Sequence, residues 1–250
     1  MQNKAKHFLL SSLALLFWLT LWEITARSAN IRYIIPTIGD IAIAFGELLS
    51  TSDFWLSILL SLIRIVAGFA IGVILATLFA ILAKVSLVAH AVISPVMTVA
   101  RSTPVASFIM VLWLLVGGES IPVLISVLMV MPVVWQSVYD SLNSPDRELN
   151  ELADVFDFSF SKRIRYVIIP CTVKYALPAI VTASGLAWKA GIAAEIITYT
   201  VNSIGREIAD AKNYLEGARM FAWTIVVVIL SLILETCIKA LSRRVNKLWE

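Results

Sequence analysis

Residues 54–83 form an apolar run broken by a single ionisable side chain, Arg64, and containing no proline. Such a run exceeds the ~20 residues a helix needs to cross the hydrocarbon core of a bilayer, where only helices and closed barrels satisfy every backbone amide. Comparable runs recur at residues 8–24, 90–116, 121–139, 167–200 and 220–241. Hydrophobic residues make up 60% of the chain and the mean hydropathy is +0.89, well above the ~45–50% apolar content of soluble domains. The expectation is an all-α integral membrane protein of about six transmembrane helices, forming one membrane domain over residues 1–250.

The breaks between runs sharpen that outline. Lys4, Lys6 and His7 precede the first run, and Ala26-Arg27-Ser28 follows it, so it is either a signal peptide or a first transmembrane helix. Its length, its tryptophans and the spans that follow favour the retained helix, with Glu23 and Arg27 spaced to pair near its end. Residues 36–49 read as a short amphipathic helix on the outer surface, with Ile41, Phe45, Leu48 and Leu49 on one side. Gly68 and Gly72 permit a close helix contact. The third span is interrupted at Pro95 and again at Arg101-Ser102-Thr103-Pro104, and residues 201–219 read as an outer loop or surface helix.

Charge sets an orientation. Lys4, Lys6, Lys84, the cluster from Lys162 to Arg165 and the group from Arg243 to Lys247 fall on one face of a six-span layout. The turn at 117–120 has no Lys or Arg, although the two longer outer loops carry some, so both termini are placed in the cytoplasm. The net charge of +3 is spread among loops and gives no reason to expect nucleic-acid binding. Two cysteines and two histidines offer no metal-ligand spacing, and no G-x4-G-K-[ST] phosphate loop is present. Any ATP hydrolysis must therefore come from another polypeptide.

Residues 144–170 are the longest polar interruption in the C-terminal half. Ser144, Pro145 and Asp146 read as N-cap, N1 and N2 of a helix, with Asp146 and Glu148 complementing the positive end of its dipole. Leu149, Leu152, Phe156 and Phe160 form an apolar stripe, while Arg147, Glu148, Glu151 and Asp154 lie off it. Such a helix either packs on its own protein or docks a partner at a polar surface.

The spacing favours docking. Glu151-Leu152-Ala153, Asp157 and Val167-Ile168-Ile169-Pro170 resemble the EAA motif, EAA-x3-G-x9-I-x-L-P, of permease subunits in ATP-binding-cassette importers. Leu152 replaces the middle Ala and Asp157 the Gly, and Asp is among the less costly non-glycine residues where a turn needs positive φ. Ser159 would then cap a second helix. The run Ser61-Leu62-Ile63-Arg64-Ile65-Val66-Ala67-Gly68-Phe69 is similar to the S-L-x-R-x-x-x-G-F run of the nitrate, sulfonate and taurine importer group. Ala187-Trp188, Ala194-Glu195 and Gly205 resemble that group's A-W, A-E-M and G-L-G pattern. The likeness spans residues 54–244.

The resemblance implies a type I importer permease fold in a bacterial inner membrane, with 144–170 as a cytoplasmic coupling segment. It assigns Glu151, Leu152, Ala153, Phe156, Asp157 and Pro170 to ATPase coupling. It also implies a second permease copy, a cytoplasmic ATPase dimer that uses ATP and Mg, and an external substrate-binding protein. This chain itself would be non-catalytic and hold no cofactor. The cargo would be a small anion or organic nutrient such as nitrate, a sulfonate or taurine.

Ionisable residues inside spans are costly, about 2.5 to 3.5 kcal/mol each at the bilayer centre, and so mark candidate sites. Arg101, Lys189 and Glu195 are the pathway candidates, with Arg64 read as a brace that snorkels. Lys189 and Glu195 lie six residues apart, about 240° round a helix, and each needs another partner. Glu195 reads as structural, balancing a basic residue on a neighbouring span. Trp113, Trp135, Trp188, Met129 and Met131 read as interface or packing residues. The competing reading is a stand-alone ion-coupled carrier or channel with Lys189 and Glu195 as its ion or proton site.

Overall fold

The computed structural model describes residues 2–28, 34–143 and 147–247. Its helices are α1 (Gln2–Ser28), α2 (Ile38–Leu49), α3 (Ser52–Val85), α4 (Leu87–Ser102), α5 (Val105–Val116), α6 (Ile121–Asn143) and α7 (Arg147–Val155). After these come α8 (Phe160–Arg163), a π-helical turn (Ile164–Ile168), α9 (Ile169–Thr198), α10 (Ile204–Asn213) and α11 (Gly217–Asn246). Among the described residues four stretches are long and apolar enough to cross a membrane: Ser52–Val85, Ile121–Asn143, Phe160–Thr198 and Gly217–Asn246. The 27-residue α1 and the pair α4–α5 occupy the other two runs read from the sequence.

The core is a sandwich of α3 on α6 and α6 on α9, with α11 closing the far side. Small residues set the separations. A Cβ at Gly68 would lie 2.5 Å from the Val123 carbonyl oxygen, and one at Gly72 would lie 2.8 Å from Val130 Cβ. At Gly191 it would meet Ile65 at 2.6 Å, so three helices touch where side chains are absent. Ile65, Val130, Val134, Trp188 and Trp223 fill the remaining space. Trp188 donates its indole N–H to the Val227 carbonyl at 3.1 Å, binding α9 to α11. Trp135 is also buried, whereas Trp113 is exposed. Hydroxyls along the spans are satisfied by carbonyls one turn back, as at Thr77, Thr98, Thr224 and Thr236.

The third apolar run is not a straight span: α4 and α5 meet at 110°. α5 has 12 residues, ~18 Å of helix and too short to cross alone. Pro104 forces the preceding residue out of the helical region, and Thr103 takes φ −81°, ψ 134°. The hydroxyls of Ser102 and Thr103 both donate to the Val99 carbonyl. By contrast, α4 runs through Pro95 unbroken.

Two polar stretches form helices, as read from the sequence. α2 is closed by a capping box between Thr37 and Asp40, and Glu23 accepts from the Ile38 amide at 3.0 Å while pairing with Arg27 at 2.7 Å. Ile41, Phe45 and Leu48 pack on the core, while Leu49 is exposed. Of the two readings of residues 201–219, outer loop or surface helix, the structure has the helix, α10. α10 packs against α9 and α11 and buries Ile204 together with Gly205, Ala209 and Ala211, small residues that leave the buried face faint among the charges of the segment.

Candidate functional site

Residues 147–170 form a bent polar segment at one end of the bundle; the Ser144, Pro145 and Asp146 cap lies outside the described residues. α7 stops by two hydrogen bonds, Phe158 N to Ala153 O at 2.9 Å and Asp157 N to Asp154 O at 3.2 Å. These are the paired bonds of a Schellman ending, which needs a left-handed residue at C′. Asp157 supplies it, with φ 48°. Asp154 then pairs with Arg163 and holds α7 against α8. Ser159 stands at the N-cap of α8 but its side chain makes no capping bond, and that short helix continues directly into the π turn.

The π turn has its own cause. Pro170 lacks an N–H and its ring crowds the carbonyl one turn back, and the preceding Ile169 amide bonds instead to Ile164, five residues earlier. The extra residue makes room for the ring without ending the helix. A continuous path of 39 residues therefore runs from Phe160 to Thr198. Leu152, Phe156 and Phe160 of the apolar stripe are 51%, 66% and 78% exposed, and Glu151 is exposed beside them. Ala153 is buried. The stripe does not pack on its own protein.

Asp157→Val places a β-branched residue at this left-handed position and should cost about 1–2 kcal/mol locally. Hydrogen exchange at the amides of residues 157 and 158 should quicken about tenfold, while Asp157→Gly should leave them near the parent rate.

The opposite end of α9 carries a buried polar latch. Glu195 is 0% exposed, accepts from the Ser61 hydroxyl at 2.8 Å and from the Gly205 amide at 3.2 Å, and lies 3.9 Å from the Arg64 guanidinium. Arg64, its side chain 19% exposed, also donates to the carbonyls of Val201 and Asn202 and lies 3.7 Å from Glu119. Glu119 in turn accepts from the Val201 amide at 3.1 Å. The Ser61 hydroxyl oxygen accepts from the Ile204 amide at 3.0 Å. A Cβ at Gly205 would sit 2.5 Å from the Ile196 backbone nitrogen, so only glycine lets α10 lie on α9 here. The motif fragments at Ser61, Arg64, Glu195 and Gly205 thus meet in one cluster. Glu119 was absent from the sequence reading because nothing in a turn residue's neighbourhood points to a helix so distant in sequence.

Over residues 51–247 the sequence matches the family described as binding-protein-dependent transport system inner membrane component. The chain belongs to this family. It is a multi-pass membrane permease component of such a system. It is 24% identical to the putative aliphatic sulfonates transport permease protein SsuC of Bacillus subtilis, over 97% of this chain and 87% of that protein. It is 28% identical to the nitrate import permease protein NrtB of Leptolyngbya laminosa, over 77% of this chain and 68% of that protein. A crystal structure of an amino acid ABC transporter with histidines superposes with a TM-score of 0.59 at 20% identity, covering 76% of this chain and 90% of that one. That likeness shows a shared type I importer permease fold.

Within the permease, Arg101 lies exposed at the α4–α5 corner and Lys189 lies exposed on α9. Among the described residues neither contacts the other or Glu195, whose neighbours are Ser61, Gly205 and Arg64. Between α6 and α9, at the end bearing α7, a cavity of about 660 Å³ is lined by Ser137, Tyr139, Asp140, Asn143 and Tyr175. No single apolar-run or motif signal marked it, since its residues come from two spans.

Proposed function

We propose that this permease forms half of a solute pathway driven by a separate ATPase, which it grips through the segment 147–170. The observation carrying this reading is the exposed stripe of Leu152, Phe156 and Phe160 across a bend locked by the Asp157 turn, whose second arm runs from Phe160 into α9 without a break. Displacement of α7 can reach the far end of a span only through such a rigid connection. The segment and both termini then face the cytoplasm of a bacterial inner membrane. A second permease copy completes the pathway, an ATPase dimer consuming ATP and Mg sits beneath, and an external binding protein delivers the cargo.

The relatives named for sulfonates and nitrate have anionic cargo in common. We assign a small anion to this permease, with Arg101 and Lys189 supplying positive potential along the path. Glu195, enclosed by its partners, acts as the latch that fixes α10 to α9. The stand-alone carrier gains no support from Lys189 and Glu195, since the two do not meet.

Glu151→Lys reverses a charge beside the docking stripe. The expected outcome is loss of substrate-stimulated ATP hydrolysis by the assembled transporter with the permease still in the membrane. Normal assembly and transport in that variant would remove the docking role.

A further inference from the structure

Where α9 and α11 part at the α7 end of the bundle, they leave a cleft of about 410 Å³ lined by Lys174, Leu177 and Pro178 on one side and Ser242, Arg243 and Lys247 on the other. Lys174, Arg243 and Lys247 are all exposed. Among the described residues none of the three is paired with a carboxylate, whereas Arg163, Arg206, Arg219 and Lys239 each are. Three like charges around one small cleft repel each other, and the arrangement is relieved by an anion placed between them. The hydroxyl of Ser242 adds a neutral donor on the same wall.

Two features select the kind of anion. Lys174 and Arg243 lie toward the α7-bearing ends of α9 and α11, and the helix from Lys174 to Thr198, ~36 Å long, spans a bilayer's hydrocarbon core and would set the cations near its phosphates. Leu177 and Pro178 line the wall, and beyond the Lys239–Glu235 pair the same side of α11 exposes Leu232, about three turns from Arg243. A soluble anion would meet only open, salt-screened charges there. A lipid phosphate would be held at the cations while its chains lay along α11.

We infer that this cleft is a binding site for the headgroup of an anionic phospholipid, bridging Lys174 on α9 to Arg243 and Lys247 on α11. Lys174 lies four residues beyond Pro170, so the bound lipid braces the helix that continues the coupling segment. The inference rests on membrane residence and on the cleft, and its test requires no ATPase.

The test is native mass spectrometry of the full-length permease in mild detergent with added phosphatidylglycerol or phosphatidylcholine. The expected result is selective retention of phosphatidylglycerol, weakened about tenfold or more in the triple variant K174Q/R243Q/K247Q. The variant K6Q/R27Q/K212Q, which removes the same charge on α1 and α10, should retain the lipid as the parent does. Arg243→Gln alone, should the triple variant prove unstable, should lose about fivefold. Equal retention of the two lipids, equal loss in both triple variants, or displacement of phosphatidylglycerol by millimolar inorganic phosphate would each overturn the lipid site.

Discussion

Replacing Glu195 with Ala will lower the unfolding temperature of the detergent-solubilised permease by on the order of 10 °C. The substitution strips the Ser61 hydroxyl and the Gly205 amide of their acceptor and leaves the Arg64 guanidinium, 3.9 Å away, without its buried counter-charge. Breaking one side of a fully buried ion pair costs about 3–5 kcal/mol; Arg64 keeps Glu119 and two carbonyls, so the loss lies toward the lower end and comes mainly from the unmade hydrogen bonds of Ser61 and Gly205. Glu195→Gln retains an acceptor oxygen of the same reach and should recover about half of the loss. In a double-mutant cycle with Arg64→Gln, the pair should show a coupling energy of about 0.5–3 kcal/mol. Unchanged thermal stability in Glu195→Ala, with transport reduced, would instead place Glu195 on the solute path and dismiss the latch.

The second large effect concerns the other end of α9. Phe156→Asp, alone or with Leu152→Asp, should weaken ATPase binding to the permease about 30-fold or more. Aromatic anchors at the centre of an interface typically contribute ~2 kcal/mol or more on truncation, and a carboxylate at the same place adds a desolvation cost. Both side chains are exposed in the isolated subunit, so neither change disturbs the fold of the bundle. The measurement is affinity of the purified ATPase for permease in nanodiscs, with thermal stability of the permease as the control for folding. A parent-like affinity with both carboxylates in place would show that the stripe is not the docking surface.

The spans were legible because lipid leaves an apolar run few alternatives to helix. The Asp157 turn was legible for a related reason: the gap between Ala153 and Phe158 must close with one left-handed residue, and Asp tolerates that conformation. The break at Pro104 could be placed but its 110° angle could not, because the direction of α5 depends on its packing against α6 and α9. Proline marks where a helix must stop, not where the next one goes. Glu195 was recognisable as a charge needing a partner. That the partner is Arg64, with Glu119 and the Val201 and Asn202 carbonyls completing the set, follows from helix packing that no local pattern encodes. For α10 a surface helix was one of two readings, but its buried face was not legible, since the residues it buries include alanine and glycine, which leave little trace in a polarity pattern.

The most direct test is reconstitution of the permease in proteoliposomes with and without the proposed partner ATPase, the proposed external binding protein being supplied outside. The account predicts accumulation of a small anion, assayed with nitrate and an alkylsulfonate, only when the ATPase and internal ATP are both present, and its loss on Phe156→Asp. Accumulation by the permease alone under an ion gradient would contradict it.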